Sequence, residues 1–203
     1  MNKYIGVIEE INAHVITLFD QYEGLPFFYH NLHHTKFVVQ RSYEIAAGYP
    51  LIESDSFTLI AAAWFHDTGH LNGSIKFHEE RSVTFMRDFL QQKGIEEELI
   101  KNAEACICAT KLPHAPKSLL EEILCDADTY NLGTPDFSNT DRLIKQELEL
   151  RDINIDNWEE KKLRLLLSHR FFTDHCKTLL DKGKENNIKN VSVGVNKNQP
   201  AVN

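Results

Sequence analysis

The chain has no apolar run near the roughly 20 residues that a membrane-crossing helix needs. Its cysteines are few and poorly spaced for a metal. Cys106, Cys108, Cys125 and Cys176 form neither a C-x-x-C pair nor a zinc-ribbon pattern, and they read as reduced core thiols of a cytoplasmic protein. The first residues lead into an amphipathic segment without a signal-peptide hydrophobic core. Positive charge is in deficit: 22 Lys and Arg face 30 Asp and Glu, a formal net charge of −8. Phosphate surfaces attract basic proteins, so this balance argues against long nucleic acids and membranes as general partners. It leaves room for a small phosphate ester in a local pocket. Sustained strand alternation between hairpin turns is also missing.

What the sequence has is helical periodicity. Apolar residues recur at helical spacing over about 2–21, 31–47, 54–67, 78–93, 96–110, 117–132, 137–151 and 157–182. Stops stand at Gly24 with Pro26, Gly48 with Pro50, Gly69, Gly94, Pro113 with Pro116, and Gly133 with Pro135. The expectation is an all-α, single-domain helical bundle without a sheet. The expected domain covers 1–185, and the polar stretch 186–203 after Gly183 reads as a flexible tail. An oligomer is allowed but not indicated.

Seven of the ten histidines fall between positions 30 and 114. A lone histidine on an apolar face is more often a hydrogen-bonded core residue than a ligand, so faces and neighbours must decide. His34 has Phe37 and Val38 at i+3 and i+4, beside the core-facing stripe of its helix. His66 and Asp67 end the run Leu59-Ile60-Ala61-Ala62-Ala63-Trp64-Phe65. A carboxylate there is costly to bury unless paired, and it sits at the negative end of its helix dipole. A cation relieves both penalties. In Leu124-Cys125-Asp126-Ala127-Asp128 the two aspartates cannot share a helical face. Asp128 is flanked by Leu124 and Leu132 and is the better ligand candidate. Asp126 is expected behind the ligands or at the surface.

Two imidazoles and two carboxylates make a mixed nitrogen and oxygen set suited to a divalent cation (Mn, Mg, Fe, Co, Ni or Zn), as one ion or two. Without cysteine among the ligands, a structural zinc site is disfavoured. The run His66-Asp67-Thr68-Gly69-His70 is not the two-histidine helix of metalloproteases. That motif needs glutamate after the first histidine and an unbroken helix.

Three stretches together resemble the HD-domain superfamily of metal-dependent phosphohydrolases: Tyr29-His30-Asn31-Leu32-His33-His34, Ala61-Ala62-Ala63-Trp64-Phe65-His66-Asp67 and Asp126-Ala127-Asp128. The resemblance covers about 29–151. It implies His34, His66, Asp67 and Asp128 as metal ligands. His78-Glu79-Glu80-Arg81-Ser82 and Ala109-Thr110-Lys111 are similar to bacterial proteins predicted to be HD phosphohydrolases. The Tyr-His-Asn-x-x-His stretch is similar to cyclic-nucleotide phosphodiesterases, which implies His30 as general acid on the leaving oxygen. The chain is shorter than those enzymes, and no purine-clamping region is evident in its sequence.

The expected activity is hydrolysis of a small phosphorylated substrate, a nucleotide being the preferred class, by metal-activated water. Asp67 binds the metal or bridges two. His70, His78 and His114 compete with His30 as proton donor or as ligands of a second ion. At least one of the three is expected in the metal cavity. Lys111 is a candidate contact to substrate phosphate. Glu79 is a candidate to face the pocket, with compensation of its helix N-terminus as the alternative, and Glu80 reads as compensating that N-terminus. His14, His169 and His175 read as structural or exposed, and the charged run Lys145–Arg151 as a solvated helix face. Two other functions compete: a di-iron oxygenase on the same fold, as in inositol oxygenase, and a non-catalytic binding module stabilised by its metal.

Overall fold

The structure, a computed structural model, describes residues 3–22 and 27–198. Its helices are α1 (Ile5–Asp20), α2 (Leu32–Ala46), α3 (Glu53–Phe65), α4 (His78–Gln92), α5 (Glu97–Ala109), α6 (Leu119–Asp128), α7 (Phe137–Leu150), α8 (Trp158–Ser168) and α9 (Asp174–Asn198). Short 3-10 turns follow α3 at Thr68–Leu71 and α6 at Tyr130–Gly133. No strand occurs among the described residues, so the all-α expectation holds. No described helix is long and apolar enough to cross a membrane.

α3 organises the bundle. Phe57 through Phe65 are all buried, as a helix apolar on every side requires. It packs against α1, α2, α4, α5 and α6. Burying nine consecutive residues fixes the end of α3 in the molecular interior, and His66 and Asp67 emerge there.

The C-terminal third departs from the expected helix over 157–182. The chain breaks between α8 and α9 because Asp126 reaches across from α6. Its carboxylate accepts from the Phe172 and Thr173 amides at 2.9 and 2.8 Å and from Thr173 Oγ1 at 2.7 Å. Thr173 Oγ1 accepts in turn from Cys176 N at 3.2 Å. These bonds serve donors that the start of α9 would otherwise leave open.

Gly183 does not stop α9. The helix crosses the Tyr130–Gly133 turn there, and a Cβ on Gly183 would strike the Gly133 carbonyl. α9 then runs through most of the stretch expected to be a flexible tail. Asn187 is buried and donates to the carbonyls of Leu132 and Thr134, both at 2.9 Å. Val191 is buried as well. Polar composition hid a packed helix, and residues 199–203 of that expected tail lie outside the described residues.

His169, in the α8–α9 break, is structural as expected. Thr129 Oγ1 already donates to Cys125 O at 2.7 Å, so the 3.0 Å contact makes His169 Nε2 the donor to that hydroxyl. Nδ1 then faces Lys184 Nζ at 3.5 Å. Burial, with Lys184 nearby, pushes the imidazole down to about 3. The unfolded chain takes up this proton near pH 6.5. Stability is therefore present above pH 6.5 and lost as pH falls through that interval toward 3, at up to about 1.4 kcal/mol per pH unit. His169→Gln keeps a donor for Thr129 and should flatten the acid limb of the urea midpoint measured against pH. An unchanged limb would remove His169 as its source.

Candidate metal centre

Three helix ends meet at one point. α2 begins with Asn31, whose Oδ1 accepts from the His33 and His34 amides at 2.9 and 3.1 Å. Its Nδ2 donates to the Phe27 and Phe28 carbonyls. This N-cap fixes where the helix starts and so where His34, one turn in, points. At the end of α3, His66 Nδ1 donates to Ala63 O at 2.8 Å. That bond satisfies a carbonyl left open by the helix terminus and leaves the Nε2 lone pair facing inward. Asp67 follows, and Asp128 is the last residue of α6.

His34 Nε2 lies 3.1 Å from Asp128 Oδ1 and 3.3 Å from Asp67 Oδ2. His66 Nε2 lies 3.6 and 3.3 Å from the same two oxygens, and 3.4 Å from His34 Nε2. Ligand bonds of about 2.1 Å at octahedral or tetrahedral angles put neighbouring donors roughly 3.0–3.5 Å apart, so the spacing suits one shared cation. Asp67 Oδ2 is buried with no hydrogen-bond partner, an orphan that a cation would satisfy. The donor chemistry and the geometry both fit.

The other oxygen of Asp67 faces a second set. Oδ1 lies 3.8 Å from His70 Nε2 and 3.7 Å from His78 Nε2. His78 Nδ1 donates to Ile75 O at 3.0 Å, which frees its Nε2, and His70 Nε2 is buried and unpartnered. Asp67, His70 and His78 thus form another group able to hold an ion. Gly69 permits the approach. A Cβ there would run into the His78 carbonyl, and its amide donates to Ser82 Oγ at 2.8 Å.

Electrostatics follow from burial. Burial disfavours charge on Asp67, but His66 and His34 win and hold its carboxyl well below the usual range. Burial likewise opposes charge on His66, yet Asp67 and Asp128 raise it well above an ordinary imidazole, and they raise His34 in the same direction. Protons and a cation therefore compete for the same lone pairs. His70 goes the other way: burial, then His30 beside it, pushes it far down, so it stands neutral between the rings of His30 at 4.1 Å and His78 at 3.9 Å.

His30 is anchored by a residue the sequence pattern assigned to solvent. Glu147 on α7 is fully buried. It accepts from the amides of Tyr29 and His30 at 2.9 and 3.0 Å and from His30 Nδ1 at 2.7 Å. Arg151 Nη1 stands 3.3 Å from both Glu147 Oε1 and His70 Nδ1. The solvated-face expectation for Lys145–Arg151 is thus wrong at Glu147 and Arg151. The available signal was a carboxylate on the stripe of Phe137 and Ile144, with arginine at i+4.

A cavity of about 450 Å³ opens beside these groups. Its lining includes His30, Asp67, Asp128, His78, Glu79 and Lys111. His114 lines it too, with Nε2 donating to Thr110 O at 3.0 Å and Nδ1 buried without a partner, but it joins neither ligand set. Lys111 sits half-exposed, 2.8 Å from Glu80 Oε1, so Glu80 spends its charge on that pair.

Asp126 is fully buried, contrary to a surface position, and its lone pairs serve α9 rather than the ligand set. Asp128 is the more open of the two because it borders the cavity. Asp126→Ala would orphan buried donors and should cost about 3 kcal/mol or more in urea unfolding, with metal content retained. Asp128→Ala should release metal. The reverse outcome in metal analysis would exchange their roles.

The HD domain family matches residues 31–132, a span that holds His34, His66, Asp67 and Asp128. A crystal structure described as a predicted HD superfamily hydrolase from an uncultured Thermotogales bacterium is similar in fold. It aligns with a TM-score of 0.60 at 19% identity, over 93% of this chain and 91% of that chain. No match was found among curated proteins.

Proposed function

Because the chain belongs to the HD domain family, we propose that it is a metal-dependent phosphohydrolase acting on a small phosphate ester, with a nucleotide as the preferred class. The observation that carries this is the convergence of His34 and His66, whose Nε2 atoms lie 3.4 Å apart and each 3.1–3.6 Å from an oxygen of Asp67 and an oxygen of Asp128, beside an open cavity. A divalent cation held by these four residues would supply hydroxide near neutral pH and polarise a phosphoryl oxygen. Asp67 spans this set and the His70–His78 set, so a second ion has a place.

The chain's own groups complete the chemistry. Glu147 fixes His30 with Nδ1 as the donor, and in the imidazolium form Nε2 carries the second proton, the one passed to the leaving oxygen. Lys111 can exchange Glu80 for a substrate phosphate at little cost, since exposed ion pairs are weak. The net charge of −8 favours a small substrate over a long nucleic acid. The four unbridged cysteines suit a reducing, cytoplasmic setting. The paired sets around Asp67 also support a second reading, a di-iron oxygenase.

A panel of nucleoside monophosphates, cyclic nucleotides, nucleoside triphosphates and non-nucleotide monoesters tests the substrate class on protein of defined metal content. Hydrolysis of at least one nucleotide group is expected. Turnover confined to non-nucleotide esters would overturn the nucleotide preference and keep the hydrolase.

A further inference from the structure

The cavity beside the ligand set has a polar, buried side and an apolar, exposed one. Asp67 is buried within it, whereas Phe77 and Leu112 line it at 63% and 55% exposure. Phe77 is unusual twice over. It precedes α4 with φ 63° and ψ 28°, a left-handed conformation that bulky residues rarely adopt and glycine adopts freely. It also makes no side-chain cap bond to α4, as a phenyl ring cannot. Its ring therefore contributes little to burial or to capping at a position where glycine would relieve backbone strain. Strain of this kind, observed at the wall of a cavity, points to a role in binding.

The chemistry around the ring narrows that role. Lys111 Nζ lies 5.5 Å from the Phe77 ring centroid and also lines the cavity, so a flat apolar surface and a cation stand together at its exposed side. A phosphate ester whose departing alcohol carries a planar aromatic ring presents both complements. The cavity volume of about 450 Å³ lies in the range of small-ligand sites. The geometry points to Phe77 as the stacking surface for a planar base carried by the departing alcohol of the ester, as in a nucleoside, with Leu112 as its second apolar contact. This specificity assignment rests on the phosphohydrolase reading for the word substrate, but the preference for an aromatic group is measurable without turnover.

The probes are non-hydrolysable 5′-methylenephosphonates of adenosine, uridine and ribose, titrated by calorimetry into metal-loaded protein. The nucleoside analogues differ from the ribose analogue by the base. At least one should bind about tenfold more tightly, the effect of a single stacked base. Phe77→Gly should erase that preference, leave ribose binding unchanged and not lower the melting temperature, because glycine relaxes the backbone. Leu112→Ala should reduce the preference in part. No preference in the wild type, a preference that survives Phe77→Gly, or equal weakening of all three analogues would overturn the assignment. Failure of the hydrolase reading shows separately, as absence of phosphate release from any ester by the wild type.

Discussion

Asp67→Asn should abolish phosphate release and strip the protein of metal while leaving its helical circular dichroism intact. The two oxygens of Asp67 face both donor sets, Oδ2 toward His34 and His66 and Oδ1 toward His70 and His78. Asparagine keeps the shape but removes the charge, and it aims an N–H where a lone pair is required. Loss of a group that only supports ligands costs about 10–100-fold. A ligand shared by both sets should cost well beyond that. Retained activity with full metal content would show that Asp67 is not a ligand.

His30→Gln should lower kcat by about 10²–10⁴-fold on esters with alkoxide leaving groups, the span of a lost general acid, with metal content unchanged. Esters of p-nitrophenol need little proton donation and should be spared. That split separates proton transfer from a structural loss. Glu147→Gln should give the same pattern more weakly. An amide can orient its oxygen to accept from His30 Nδ1, but its NH2 then faces the Tyr29 and His30 amide donors, and it forfeits the charge that holds the 2.7 Å contact and the Arg151 pairing. Glu147 is a positioning residue, so a uniform loss on both ester classes would contradict its assignment and that of His30.

The helices up to α6 and the four converging residues were legible because their signals are local. The 3.6-residue period marked the helices, and two acidic groups terminated apolar runs. The rest depended on contacts between distant segments. The α8–α9 break follows from Asp126, more than 40 residues upstream, accepting the Phe172 and Thr173 amides, which no window around Phe171 contains. Gly183 reads as a stop in sequence but serves close packing against Gly133. Glu147 looked like one charge in a charged run, and only the approach of Tyr29 and His30 makes it a buried acceptor. Asp126 and Asp128 were told apart by flanking leucines, yet the physical distinction is different. One carboxylate is consumed by a helix start, and the other borders the cavity.

The most direct test is phosphate release by chelator-stripped protein as a divalent cation is added back, one equivalent at a time, with oxygen uptake followed in parallel. Release should be absent without metal, return within the first two equivalents, and fail to return in His66→Ala at any loading. No release from monoesters, cyclic nucleotides or triphosphates with any of the cations, together with oxygen consumption when iron is bound, would contradict the hydrolase and install the oxygenase in its place.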